Sequence, residues 1–498
     1  MSEQVARDRL ELRQPPFALV LVRRLVAALD AAGVTYCHWK SNESIARSAS
    51  GENDLDLLVA RAHAGPFTEV LTDLGFRVAR PGADRQLPGI IDYYGFDDDA
   101  GRIVHVHAHF QLVLGDDMTK NFRLPIEDLY LRSATHQGLF PLPSPHFEYV
   151  VFVLRMVMKH STWDAQLDRK SRLTASEGRE LAYLEARTDP SEVASLVEAH
   201  LPFLDRQLFA RCELAAAERV GNLGRAITAA RLLHALRSHG RRTETVDLAL
   251  RLWRRRWRRV QRRIPQTTSK KRLDTGGLMI ALLGGDGSGK STAVGLLVQH
   301  LSKDFDVRRF HMGKPPWSRL TRIVKRPMGR LRTYGFFRTT RLPAWHDFDG
   351  DFPGLAFMVW HVLTARDRYL EYRRARRAVA RGTIAVCDRF PTTAIRLMDG
   401  PRTPMLPGVD RRPIARWLRT REVGYYAQML PPDVAVVLRV PPDVAVERRH
   451  DEDVDAVRQR AAEVFDLDWS TTNTVVVNAD MPIDDVHAEI TNAVWAAL

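Results

Sequence analysis

From about residue 273 to the C-terminus, compact apolar runs alternate with stretches of helical spacing. Leu278–Leu283, Val307–Met312, Thr383–Cys387, Val434–Val440 and Thr474–Val477 have the length and composition of buried strands. Thr292–Leu301, Phe357–Arg381, Pro413–Met429, Pro442–Arg449 and Val454–Asp466 lie between them and read as helices. Strand and helix in alternation predict a doubly wound α/β domain with a parallel sheet. Upstream, residues 126–272 are helical by pattern: Val193, Leu196, Val197 and Leu201 share one helix face, and Tyr149–Met158 is an apolar run. The first 125 residues instead offer strands at Asp54–Val59 and Ile103–Phe110 and predict an α+β domain. The expected domains are therefore 1–125, 126–272 and 273–498.

Candidate chemistry begins where the first strand of the C-terminal domain ends. Gly284-Gly285-Asp286-Gly287-Ser288-Gly289-Lys290-Ser291 fits G-x-x-x-x-G-K-[ST] and, with Thr292 opening the helix, stands between strand and helix as that motif requires. Small residues let successive N–H groups curl around an anion, and the helix N-terminus behind them adds its dipole. Lys290 is then the point charge for the outer phosphates of ATP, and the Ser291 hydroxyl a ligand for the magnesium that ATP carries. A second apolar strand, Thr383–Cys387, runs into Asp388 and Arg389, at the carboxyl edge where doubly wound folds bind ligands. Asp388 is a candidate magnesium ligand there, and the planar fork of Arg389 a candidate phosphoryl clamp.

Composition narrows the setting. The chain has 498 residues and only three cysteines, Cys37, Cys212 and Cys387, widely spaced; this suits a reducing cytoplasm and excludes a cysteine-built metal site. No apolar run reaches the length of a membrane span, Tyr149–Met158 being interrupted by Arg155, and Met1–Gln4 carries no signal pattern. Charge is uneven. Residues 1–120 carry 13 basic against 17 acidic residues, whereas Arg251–Arg272 has 11 basic and no acidic one, and Gly313–His346 nine basic and none acidic. The first basic tract ends in Ile264–Lys271, which reads as a linker, and it puts Trp253, Trp257, Val260 and Ile264 on one helical stripe. Three readings of that helix stand: packing between the flanking domains with its arginines solvated, an anionic membrane surface, or nucleic acid. No zinc-finger, helix-turn-helix or RNA-recognition signature supports the last.

The C-terminal residues resemble the thymidylate kinase family. Gly284–Thr292 is similar to that family's phosphate loop, and Asp388-Arg389-Phe390 followed by Thr392-Thr393 to its Asp-Arg-Tyr motif. Ala365–Tyr369, Ala380–Thr383 and Pro432–Ala445 continue the likeness, which covers roughly 276–498. The resemblance implies ATP with magnesium as donor, Arg368 and Arg389 as contacts for an acceptor phosphate, and a lid after Pro442–Ala445. Glu447–His450 and Arg458–Arg460 occupy that lid; with no arginine in residues 284–291, Arg448 and Arg449 are the candidate cations for the transferring group. One departure is plain: where the family has Arg-Glu-Pro-Gly-Gly, this chain has His311–Trp317, with Lys314 as a candidate anion contact.

The N-terminal segment is similar to the nucleotidyltransferase fold. Tyr36–Ser41 precedes Asp54-Leu55-Asp56, whose carboxylates alternate onto one strand face, as two-metal nucleotidyl transfer requires. The fold's third carboxylate is expected on Ile103–Phe110, which carries His105, His107 and His109 instead. Neutral imidazoles suit transition metals better than magnesium, though such histidines more often hydrogen-bond within a half-buried face or line a pocket. Asp97-Asp98-Asp99 reads as an exposed acidic turn. Together these residues describe a cytoplasmic P-loop kinase for a small anionic acceptor, with a possible second site at Asp54 and Asp56 and a membrane surface as a candidate partner of 251–264. Two alternatives remain: a sugar or nucleoside kinase in surface-polysaccharide precursor supply, and a non-catalytic nucleotide-binding switch.

Overall fold

The computed structural model describes residues 18–167, 172–261, 270–324, 352, 354–392, 394–395, 400–449, 453–470 and 474–498, with the backbone alone at 258, 259 and 261. Residues 264–269 of the expected linker Ile264–Lys271 and the basic segment beyond residue 324 lie outside them, as do Thr393 and His450. By its contacts the chain divides between Ser269 and Lys270 into two units, the first holding both the N-terminal segment and the helical one. The architecture is mixed α/β. Among the described residues no helix is long and apolar enough to cross a membrane.

In the first unit, strands β1 (Tyr36–His38), β2 (Leu55–Val59), β3 (Arg77–Arg80), β4 (Ile90–Asp97) and β5 (Arg102–His109) pair in the order β1-β2-β5-β4-β3. Only β2 and β5 run parallel. Alternation gives the sheet two unlike faces. Leu55, Leu57, Val59, Val104, Val106 and Ala108 are buried with Leu25 and Leu29 of helix α1 (Val20–Ala31) and Phe67 and Leu71 of α2 (Ala64–Asp73). The other face carries Asp56 and the three histidines.

The helical segment is built around α3 (Pro145–Met156), apolar on nearly every side and buried, as a central helix must be. It passes into a π-helical turn, Val157–Ser161. Helix α4 (Ala175–Glu185) starts with a reciprocal capping box between Thr174 and Glu177. The arginine-rich helix α5 (Glu244–Gln261) differs from the expectation that its arginines are solvated: Arg251 and Arg255 are buried, pairing with Asp164 at 3.0 and 2.8 Å and, for Arg255, also with Asp116. Trp253, Trp257 and Val260 are instead exposed, the two indoles stacked 6.1 Å apart. Buried acids Asp116, Asp164 and Asp247, scattered over 130 residues, turned the guanidinium face inward. The acidic turn at 97–99 also differs. Asp97 is buried and accepts the Leu21 and Ala100 amides at 2.7 and 2.9 Å, and only Asp98 and Asp99 are exposed.

Among the described residues, the second unit's parallel sheet has five strands, β6 (Met279–Gly284), β7 (Val307–His311), β8 (Ile384–Asp388), β9 (Val434–Arg439) and β10 (Thr474–Asn478), in the order β7-β8-β6-β9-β10. Its helices are α6 (Lys290–Leu301), α7 (Leu355–Val379), α8 (Pro413–Ala427), the short helix Pro442–Glu447, α9 (Val454–Asp466) and α10 (Ile483–Ala497). β6 is buried at every residue, as a central parallel strand covered on both faces is. After β8 the chain crosses β6 to reach β9, so the winding reverses beside the carboxyl end of β6.

Candidate functional site

The turn from β6 into α6 is held by close backbone approach. A Cβ on Gly287, where φ is +80°, would lie 2.4 Å from the Ala445 carbonyl oxygen, and one on Gly285 2.8 Å from the Ala461 Cα of α9. Gly289 is left-handed as well, but a Cβ there would meet nothing within 4 Å, so this side of the turn is open. Lys290 begins α6 and folds back: its buried ammonium donates to the Gly285 carbonyl and to Ser288 Oγ at 3.4 Å. Ser291 and Thr292, next along the helix, are exposed.

Asp286 is the buried anion of the turn. Arg389 pairs with it at 2.8 Å, and Arg460 of α9 with its other oxygen. Burial alone would raise the Asp286 pKa; Arg389, Lys290 and Arg460 outweigh it and hold the carboxyl below its usual range. Arg389 follows β8 with φ +61°, a strained backbone for arginine. A small cleft lies here, lined by Gly284, Lys290, Arg389, Phe390 and Thr392. Asp388 ends β8, buried, with its carboxylate taken by Arg309 of β7 at 2.5 Å.

The remaining predicted contacts are distributed differently. Arg368 is buried and donates to the carbonyls of Met312 and Gly313 at 3.0 and 3.2 Å and to the Tyr426 hydroxyl at 2.6 Å. Its neighbours hold the same segment, Arg366 through Ser318 Oγ at 2.9 Å and Asp367 through the Ser318 amide at 3.2 Å. Residues 366–368 thus clamp the segment after β7, in which Lys314 is exposed. Arg448 binds the Ala479 carbonyl at 2.9 Å and Asp480 at 3.5 Å, and Arg449 follows in the turn after the same short helix. Of the residues expected to form a lid, the one that meets the glycine turn is Arg460. Its signal in the sequence is Ala461-Ala462 beside it, small residues that let a helix backbone approach a glycine.

A second constellation lies on the polar face of the first unit's sheet. Asp54 and Asp56 do share that face with the histidines. His105 bridges two carboxylates, Nδ1 to Asp54 at 2.7 Å and Nε2 to Asp92 at 2.9 Å. His107 Nδ1 lies 3.0 Å from Asp56 and 3.2 Å from His109 Nε2. Lys40, just beyond β1, pairs with Asp56 at 2.8 Å. Burial opposes the Asp56 charge, but Lys40, His107 and His109 keep its carboxyl well below the usual range; burial keeps His107 and His109 neutral by lowering theirs. Asp92, on β4 opposite His107, adds a third carboxylate to this face, whereas the expectation placed one on β5.

Asp56 and Lys40 line a solvent-open cavity of about 480 Å³ with Lys120, Arg155 and Glu180. Arg155 is held by both Glu180 oxygens at 2.8 Å. Lys120, at a left-handed φ of +37°, has no carboxylate within ion-pair distance among the described residues, and burial brings its pKa down to about 8. An anion entering this cavity would meet that ammonium.

No protein-family model matches the chain, and no curated protein is similar to it by sequence.

Proposed function

We propose that the chain is an ATP- and magnesium-dependent phosphotransferase of the P-loop, thymidylate kinase-like kind, acting on a small phosphorylated acceptor. The observation that carries this reading is the turn itself: a strand, an open left-handed Gly289 and a helix opening on Lys290, with Arg389 and Arg460 converging on Asp286 at the same sheet edge. The turn fits a polyphosphate, since Gly289 leaves room and the N–H groups at the start of α6 have no acceptor within the helix. When bound, ATP supplies the phosphoryl group and its magnesium offsets charge between the phosphates. Lys290 and the turn amides would cradle the donor phosphates, and Ser291 and Asp388 would hold the metal. Arg389 and Arg460 would leave Asp286 for the phosphoryl oxygens. Arg448, Arg449 and Lys314 are left for the lid and the acceptor rim.

The first unit is proposed as a nucleotidyltransferase-like domain, on the strength of Asp54 and Asp56 facing β5 and Asp92 beside it. Three buried free thiols fit a cytoplasmic setting, and the exposed Trp253 and Trp257 fit a peripheral place at a membrane surface. One observation favours a second reading, a nucleotide-binding switch: Asp388 is neutralised by Arg309, and Asp286 holds both arginines. The test is incubation of the full chain with magnesium and ATP against nucleoside monophosphates, sugar phosphates, free sugars and nucleosides, reading phosphate gain by mass spectrometry. Transfer to a phosphorylated acceptor is expected. Transfer only to uncharged acceptors would remove the anionic-acceptor reading, and tight ATP binding without transfer to any of them would favour the switch.

A further inference from the structure

The three histidines of β5 are not equivalent. Both ring nitrogens of His105 are committed to carboxylates, Asp54 at 2.7 Å and Asp92 at 2.9 Å. That withdraws His105 and Asp54 together, and leaves Asp56, His107 and His109. Asp56 Oδ1 lies 3.0 Å from His107 Nδ1 and 4.0 Å from His109 Nε2, and the two nitrogens are 3.2 Å apart. Two ring nitrogens at this distance share one proton, or both turn lone pairs toward a cation.

We propose that Asp56, His107 and His109 form a binding site for one divalent transition-metal ion of the zinc class. Metal–ligand bonds of about 2.0–2.2 Å put neighbouring donors roughly 3 to 3.5 Å apart, which the two shorter separations match and the third approaches. Two imidazoles and one carboxylate select zinc, cobalt or iron over magnesium, which prefers oxygen alone. The support such a site needs is in place on one side: His107 Nε2 faces Asp92 at 3.8 Å, and Asp92 is itself fixed by His105. Lys40 gives an independent sign of the site. Its ammonium sits 2.8 Å from Asp56 Oδ1, where a cation is wanted, and metal loading displaces it toward the cavity that Asp56 and Lys40 both line. The site therefore differs from a paired-carboxylate magnesium centre at Asp54 and Asp56, because His105 holds Asp54 away. It rests on the first unit alone and stands or falls apart from the phosphotransferase reading.

The experiment is titration of chelator-stripped full-length protein with Co²⁺, followed by visible absorption, with Zn²⁺ and Mg²⁺ as competitors. One Co²⁺ per chain giving nitrogen-ligated d–d bands is expected, displaced by stoichiometric Zn²⁺ and not by excess Mg²⁺. Asp56→Asn and His109→Gln should each weaken binding by about 10- to 100-fold or more. Lys40→Met should tighten it, a gain that a merely misfolded variant cannot produce. The proposal is overturned if no such bands form, if they survive both ligand substitutions unchanged, if Mg²⁺ displaces the cobalt, or if Lys40→Met leaves affinity the same or weaker.

Discussion

The glycine turn of the second unit and the histidine face of the first both gather charge in a buried setting, but by opposite means. The turn is made of backbone: Gly285 and Gly287 are wedged against Ala461 and Ala445, and its one buried acid, Asp286, is saturated by arginines from residues 389 and 460. The histidine face is made of side chains from neighbouring strands, with His105 and His107 held by carboxylates across the sheet. A backbone site presents N–H groups whatever its neighbours do, so its chemistry tolerates a single departure. A side-chain site depends on every partner, and replacing one expected acid by an imidazole changes the ion it prefers. The two units therefore differ in what a substitution should do to them.

The largest effect is expected at the turn. Lys290→Ala should lower phosphoryl transfer by about 10³-fold or more, since on the proposed reading it removes the charge that would meet the donor phosphates, while the melting temperature stays close to wild type. Retention of most of the turnover would break the account of the turn. Arg460→Ala should cost about 10²- to 10³-fold in turnover, and Arg448→Ala distinctly less, because Arg460 reaches Asp286 whereas Arg448 is bound to Ala479. Rate constants for the two variants, compared at saturating ATP, decide between them.

In the first unit the expected effect is on stability and its pH dependence. Burial raises the Glu148 carboxyl to about 7 from an unfolded value near 4.5. Between those values the folded chain holds a proton that the unfolded chain has lost, so stability falls as pH rises through that window, by on the order of 3 kcal/mol. Denaturant unfolding at pH 5 and pH 7.5 measures it, and Glu148→Gln should flatten the difference. The smallest effect sharpens the contrast most. Asp54→Ala and Asp56→Ala should leave the phosphotransferase rate unchanged within error, the two sites belonging to separate units. A large loss of phosphoryl transfer in either variant would show that the sites are coupled.

Much of the second unit is legible in the sequence. Its five strands and five of its helices fall within a few residues of their expected bounds, because each is a contiguous run with one clear period. Helix α10 was missed although Val486, Ile490 and Val494 repeat every four residues, since Asp484, Asp485 and Thr491 dilute the pattern. The glycine turn is legible for the same reason of contiguity. The pairing of Arg309 with Asp388 is not, because it depends on which strands become neighbours. That Asp54 and Asp56 share a face, and that the three histidines do, follows from alternation; that the two faces coincide depends on the parallel register of β2 with β5. Asp92 could not be found that way: it reaches His105 through the antiparallel register of β4 on β5. The inward arginines of α5 likewise depended on Asp116 and Asp164, far off in sequence.

The central claim is that the turn at 284–291 holds the phosphates of ATP. Hydrogen exchange of the backbone amides, followed with and without saturating ATP and magnesium on the full chain, tests it most directly. The account predicts strong slowing at residues 285–292, with weaker slowing in α9 around Arg460, and no comparable change at 38–58 or 102–120. Unchanged exchange at 285–292 under saturating nucleotide, or slowing confined to the first unit, would contradict it.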